Sequence, residues 1–321
     1  MSTEREKEAF ENIWDDLMDE HQIKPESAPK GFVLGGQPGA GKSDLIRKIN
    51  MELEGNVLVA NGDEFRRYHP DFDAIQAQYG KDAPKYTAEF SGRMTEQVIE
   101  RALSEGYNLI VEGTFRTDET PMKTLDDMHK HGYETAVHIQ TAPSEISWQS
   151  TLERYRVMEK AGETPRATPK EHHDLVVGLL PKNADTVFLS DKANVFKVYS
   201  REGLIFDSRI HQGQMPSAAI DHELHRNTRR LKSLEADMEQ RSHLLSDFQK
   251  QVVAGAEKLI TNLPPADQIQ AKINLYSSQL QSLDKHPEQD ADIEIDPEPS
   301  PPPIISSLFI HDGMLINKPI L

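Results

Sequence analysis

The 321-residue chain carries 53 acidic against 36 basic side chains, a formal net charge of −17, which argues against a nucleic-acid or anionic-membrane partner because phosphate surfaces need a basic face. It holds no cysteine, so disulfides and thiolate metal sites are excluded and a reducing compartment fits. Hydrophobic residues at 36 % support a core, a mean hydropathy of −0.63 puts part of the chain outside it, and neither an apolar leader nor a membrane-length run is visible, so the expectation is a soluble, cytoplasmic protein.

Residues 3–22 read as an amphipathic helix with Phe10, Ile13, Trp14 and Leu17 at helical spacing, a packing helix or a docking one. A polar connector, 23–30, leads to the apolar run Phe32-Val33-Leu34. Then comes Gly36-Gln37-Pro38-Gly39-Ala40-Gly41-Lys42-Ser43, which matches G-x-x-x-x-G-K-[ST], the phosphate-cradling P-loop. A helical pattern (Leu45, Ile46, Ile49) follows it. In that context the glycines let backbone N–H groups close on an anion, and the helix start adds its positive dipole end. Lys42 reaches the terminal phosphates of ATP and the Ser43 hydroxyl ligates Mg²⁺.

Strands are expected at Asn56–Ala60, Tyr107–Val111 and Thr135–Gln140, with helices at about 85–105, 119–131 and Ser144–Lys160. A loop with Arg166 precedes a helix opened by Pro169 and ending near Leu180. Edge strands follow at about 185–189 and 194–199, leading to Gly203–Asp207. Strands alternating with helices specify an α/β P-loop kinase fold, a central, mainly parallel twisted sheet flanked by helices. Ligands of such sheets bind beyond the carboxyl ends of the strands, where the P-loop, Asp63 and Glu112 all lie.

Asp63 there is placed to act as general base toward an acceptor hydroxyl, or to cap the helix that starts beside it. Glu112 suits either a substrate contact or the acidic partner of Mg²⁺. Glu96 suits a substrate contact or a solvated helix face. Arg154 and Arg166, distal to the P-loop, are candidate lid cations for a transferring phosphoryl group.

Taken together, Gly36–Ser43, Asn61-Gly62-Asp63, Ser91–Glu96, Glu112-Gly113-Thr114-Phe115-Arg116, Glu153-Arg154-Tyr155 and Arg166–Lys170 make the chain resemble the zeta toxin family, the kinase toxins of bacterial toxin–antitoxin pairs. The resemblance runs from about residue 10 to 207. It implies an ATP- and Mg²⁺-dependent kinase of the 3″-hydroxyl of UDP-N-acetylglucosamine or a related UDP-sugar, whose product blocks cell-wall precursor synthesis. A cognate antitoxin shielding the ATP site is implied with it. Carried across, Lys42 and Ser43 serve nucleotide and metal, and Asp63 is the base. Glu96, Glu112, Thr114 and Arg116 contact the sugar nucleotide, while Arg154 and Arg166 contact the γ-phosphate. Phe115 stands where the family often has a small residue, and bears on the depth of the acceptor pocket. The alternatives are a nucleotide-binding interaction module and a kinase of another small molecule.

The kinase domain is expected to occupy 1–210. Beyond it Leu224, Leu231, Met238, Leu245, Val252 and Leu259 recur every seven residues, Pro264-Pro265 interrupts, and Ile269, Ile273, Tyr276, Leu280 and Leu283 resume. This reads as a helical hairpin over 215–285 with facing seams, or as a dimeric coiled coil. An acidic, proline-rich linker, 286–303, then precedes a short apolar stretch, 304–321, whose Asp312-Gly313 signals a β-hairpin that must dock to be stable.

Overall fold

The computed structural model describes residues 3–19, 23–162, 165 and 167–285. Arg166, the 286–303 linker and the 304–321 hairpin expectation lie outside the described residues.

Helix α1 (Thr3–Asp19) precedes β1 (Lys30–Gly35), α2 (Lys42–Glu52), β2 (Leu58–Ala60), the single turn α3 (Gly62–Phe65), α4 (Phe72–Tyr79) and α5 (Ala83–Glu105). Then follow β3 (Leu109–Glu112), α6 (Glu119–Lys130), β4 (Glu134–Gln140), α7 (Ser144–Lys160), α8 (Lys170–Leu189), β5 (Val195–Tyr199) and β6 (Leu204–Asp207). The strands form one sheet in the order β2-β3-β1-β4-β5-β6, parallel throughout except for the terminal β5–β6 pair. Both faces are covered, as parallel strands require. Alternation along β1 sends Phe32 and Leu34 to one face, against Leu45 and Ile49 of α2. Val33 goes to the other, with Phe90, Met94 and Val98 of α5 and Ile13 and Trp14 of α1. Central β1 thus carries the P-loop out of the middle of the sheet, with β3 and β4 on either side.

Two expectations fail instructively. Residues 185–189, expected as a strand, are the end of α8, which continues through Pro181. Burial of Val176, Leu180, Asn183, Ala184 and Val187 at three- and four-residue intervals outweighs the hydrogen bond that a proline ring removes inside a helix. The expected long helix over 219–263 is instead α9 (Pro216–Leu224), α10 (Arg226–Arg241), a 3₁₀ turn at Ser242–Leu244 and α11 (Asp247–Ile260). Ser246 ends the seam: its hydroxyl accepts the Gln249 N–H while the Gln249 side chain accepts the Ser246 N–H, a capping box that starts a new helix. Past that turn the buried register slips by one, so Val253 and Ile260 are inside while Val252 and Leu259 face solvent.

Helix α9 belongs with the sheet, its Ile220 and Leu224 buried in the main core. Helix α12 (Pro265–Lys285) runs alongside α10 in the same direction, with Lys272 at 3.8 Å from Glu235 and Asp284 at 2.7 Å from Arg241. It runs opposite to α11, whose Glu257 accepts the Tyr276 hydroxyl at 2.5 Å. Leu231, Met238, Val253, Ile273 and Leu280 make a second apolar cluster there. At its first turn α12 meets α7, where the Gln149 amide donates to Asp267. Three helices therefore stand in place of the expected hairpin.

Candidate active site

The site begins where β1 stops. Gly36 (φ 139°) and Gly39 (φ 77°) turn the chain, and a Cβ on either would run into the carbonyl oxygen of Gln140 or Ser147, so only glycine lets the loop lie this close to β4 and α7. The Gln37 amide, fully buried, donates to Ala142 O at 2.7 Å and Ala40 is fully buried, while Pro38 is half-buried. These hold the loop's outer curve. Gly41 caps α2 without a side-chain hydrogen bond and its carbonyl takes the Asp44 N–H at 3.0 Å, so an anion at the loop meets the start of that helix with no capping side chain in the way.

Lys42 folds back over the loop, donating to Gly36 O at 3.0 Å and to Gln37 O at 3.5 Å. Its Nζ lies 3.8 Å from the Glu112 carboxylate and its side chain is 11 % exposed. Burial lowers its pKa and the Arg154 cation lowers it further, while Glu112 and Asp63 oppose them. Lys42, Asp63, Glu112 and Arg154 therefore share one electrostatic neighbourhood. An entering polyphosphate would relieve the strain on the ammonium.

Glu112 ends β3 in register with Leu34 of β1, which fixes it beside the start of the P-loop. Its Oε2 accepts the Asn61 amide at 2.8 Å. The other end of Asn61 accepts the Asp63 N–H at 3.0 Å and caps α3. Asn61 thus takes the capping duty that Asp63 was a candidate for. Arg66 Nε donates to Asp63 Oδ1 at 3.0 Å, and its Nη1 is anchored on Pro84 O at 2.7 Å and Thr87 Oγ1 at 3.1 Å. Asp63 keeps 62 % side-chain exposure, open to a ligand. Ser91 donates to Gly62 O at 2.6 Å and ties this loop to α5. Glu96, on the same helix, is solvent-exposed.

Thr114 is half-buried and Arg116 exposed on the loop after β3. The Asn183 amide from α8 donates to both Phe115 O and Arg116 O, each at 2.9 Å. Phe115 does not line an acceptor pocket: at φ 57° and 3 % exposure it turns inward to the main core, its ring against Gly35. His172, half-buried in the first turn of α8, has a lowered pKa, through burial first and then the Arg116 cation, with Asp63 opposing. It therefore faces the same space. Arg154 is exposed on α7.

Asn61, Arg66, His172 and Arg201 escape sequence reasoning. Arg201, in the β5–β6 turn, donates to Gly39 O at 2.6 Å, to Ala40 O at 3.4 Å and to Ser150 Oγ at 2.7 Å, bracing the P-loop from a position 162 residues downstream. No local motif announces such a partner. The Asn-Gly-Asp spacing at 61–63, by contrast, carries the cap signal in the sequence.

Among the described residues no cluster of three His, Cys, Asp or Glu side chains suits a metal. Ser43, exposed at the start of α2, offers a hydroxyl of the kind that Mg²⁺ takes alongside water and phosphate oxygens. No helix of the described residues is long and apolar enough to cross a membrane.

The family model for zeta toxin matches residues 15–211. The chain is 38 % identical over 221 residues to Toxin zeta of Streptococcus pyogenes, covering 68 % of this chain and 77 % of that one. Its fold superposes on a chain from the PezAT chromosomal toxin–antitoxin system of Streptococcus pneumoniae with a TM-score of 0.62 at 29 % identity, over 70 % of this chain and 87 % of that one. The AvrRxo1-ORF1:-ORF2 complex shares the fold alone, with a TM-score of 0.51 at 15 % identity over 87 % of this chain and 88 % of the other. The family model covers the P-loop, Asp63, Glu112 and Arg154, and the sequence identity and the superposition point to the same family: this chain belongs to the zeta toxin family.

Proposed function

We propose that the protein is an ATP-dependent kinase toxin that phosphorylates a hydroxyl of a UDP-sugar, the 3″-hydroxyl of UDP-N-acetylglucosamine in the family pattern, and is held in check by an antitoxin covering its nucleotide site. The carrying observation is convergence. Lys42 of the P-loop lies 3.8 Å from the Glu112 carboxylate, Asn61 ties Glu112 to the backbone of Asp63, and the charges of Asp63 and of Arg154 on α7 both act on Lys42, which supports one site beyond the ends of β1, β2 and β3. Phosphoryl transfer needs alignment and charge neutralisation more than covalent help, and this set supplies both.

In the reaction the acceptor oxygen forms the new O–P bond, its proton passes to the Asp63 carboxylate, and ADP departs with the electrons of the broken P–O bond. Arg66 fixes Asp63 through Oδ1, so the second oxygen is the proton acceptor. Lys42 and Arg154 bring positive charge to the oxygens on which negative charge grows. Glu112, oriented by Asn61, accepts a hydrogen bond from the sugar nucleotide beside Thr114 and Arg116, and Glu96 contacts it from α5. When bound at Ser43, Mg²⁺ supplies charge neutralisation between the terminal phosphates. Arg166 takes the second γ-phosphate contact on the family pattern alone.

The test is to incubate the full chain with Mg²⁺-ATP and a panel of UDP-sugars and look by mass spectrometry for gain of one phosphate. No product from any sugar, with ATP binding intact, refutes the UDP-sugar kinase reading and leaves the nucleotide-binding interaction module or a kinase of another small molecule. Asp63→Ala is expected to cut transfer by roughly a hundredfold or more while ATP affinity is nearly kept. Transfer at near the wild-type rate would remove Asp63 from the base role.

A further inference from the structure

Helix α11 is apolar on two faces, and only one is covered. Val253 packs into the cluster it shares with Ile273 and Leu280 of α12, and Ile260 is buried on the same side of the helix. On the other face Phe248 is 75 % exposed, Val252 40 % and Leu259 69 %, and the strip continues into the flanking turns at Leu244 (54 %) and Leu263 (38 %). Gly255 fills the remaining place, and a Cβ there would meet nothing within 4 Å. A contiguous apolar strip on this scale is rarely left bare by a soluble monomer.

The spacing shows what covers it. Within α11 positions 248, 252, 255 and 259 are separated by four, three and four residues, the same read from either end. A second copy laid antiparallel across the strip, about a twofold axis between Val253 and Ala254, sets Phe248 against Leu259 and Val252 over Gly255. The bulkiest pairs stand outside, and at the centre a branched side chain meets a residue with none, which permits close approach of the helices. This is the self-complementarity that a twofold interface demands. On the strip's edge the charged residues Asp247 and Lys258 are of opposite sign, so the mate brings no like-charge row against it.

We propose that the outer face of α11 is a self-association surface through which two copies of this chain pair antiparallel about a twofold axis. A 14-residue helix is about 21 Å long, so one helix pair buries less than the roughly 1,200 Å² of a standard interface. The dimer is accordingly weak and concentration-dependent. The inference is independent of the proposed chemistry, since α11 packs on α12 and carries none of the residues assigned to the site.

Sedimentation velocity of the full chain across the micromolar range tests it, with two sets of variants. Val252→Glu is expected to raise the dimer Kd by about a hundredfold or more and leave the melting temperature unchanged, because the side chain is already wetted. The chain's lack of cysteine makes single-cysteine probes clean. Gly255→Cys is expected to give a covalent dimer with a short bismaleimide. Asp247→Cys, at the first position of α11 and with its symmetry mate about 20 Å away along the axis, is not. A monomer at all concentrations overturns the proposal, as does a dimer indifferent to Val252→Glu. Equal crosslinking at both positions would indicate a parallel pair and overturn it too. A full chain that dimerises only after removal of 304–321 would assign the strip to that segment, and equally refute pairing of intact copies.

Discussion

Replacing Asn61 by alanine removes two hydrogen bonds at once. The first is the cap on α3, accepted from Asp63 N–H at 3.0 Å, and such caps contribute about 1 kcal/mol. The second is the 2.8 Å bond to Glu112, a charge-assisted bond to a carboxylate only 19 % exposed, in the class that contributes about 1.5–3 kcal/mol. Lys42 at 3.8 Å still partly compensates Glu112, so the loss of stability should be near the lower end of the two together, about 2.5 kcal/mol. Asn61→Ser separates the two roles: serine caps α3 nearly as well but is too short to reach Glu112. It should recover about 1 kcal/mol of stability without recovering activity. If Glu112 orientation matters only in the transition state, kcat/KM falls about tenfold to a hundredfold in both variants. Urea denaturation gives the first quantity and phosphotransfer kinetics the second. A serine variant with wild-type kcat/KM would refute the positioning of Glu112 by Asn61, and an alanine variant of unchanged stability would refute the capping energetics.

Three further outcomes follow from the same structure. His138, held between Phe32 and Tyr199, has its pKa pushed down to about 3, chiefly by burial and secondarily by Lys197 and Lys48. Between about pH 6.5 and 3 the unfolded chain therefore takes a proton that the folded one refuses, and stability falls by up to about 1.4 kcal/mol per pH unit on acidification. His138→Phe should flatten that slope in melting curves recorded against pH. Arg201→Ala, freeing the Gly39 and Ala40 carbonyls, should raise the KM for ATP about tenfold with a smaller change in kcat, measured by initial rates. Gly36→Ala should abolish ATP binding in calorimetry, since the strained φ and the Gln140 carbonyl leave no room for a methyl group.

The parts legible in the sequence are those encoded locally. Each parallel strand is a short apolar run followed by helical periodicity, and the P-loop, Asp63 and Glu112 are placed simply by coming after strands. Pro181 misled because a residue that punctuates helices in isolation yields to burial of Val176, Leu180, Ala184 and Val187. The Ser246–Gln249 capping box was in plain view, but the heptad ran across it, and a period in leucines does not distinguish one helix from two out of register. Phe115 points to the core because a left-handed φ at that position turns its side chain under the sheet, which no residue-type pattern specifies. The bracing side chains (Arg66, Asn183, Arg201) act across the fold on partners that adjacency cannot reveal.

Helix α8 touches the site at both ends of its span. Its first turn carries His172 into the space of Arg116 and Asp63, and three turns later Asn183 grips the backbone of Phe115 and Arg116. A rod fastened this way is a lever: displacement of its leading end is delivered to the strap that follows β3. Pro181, which removes one rung of the ladder just before the grip, is the natural place for that lever to flex, so the stiffness of a single turn sets how firmly the donor and acceptor sides of the cleft move as one.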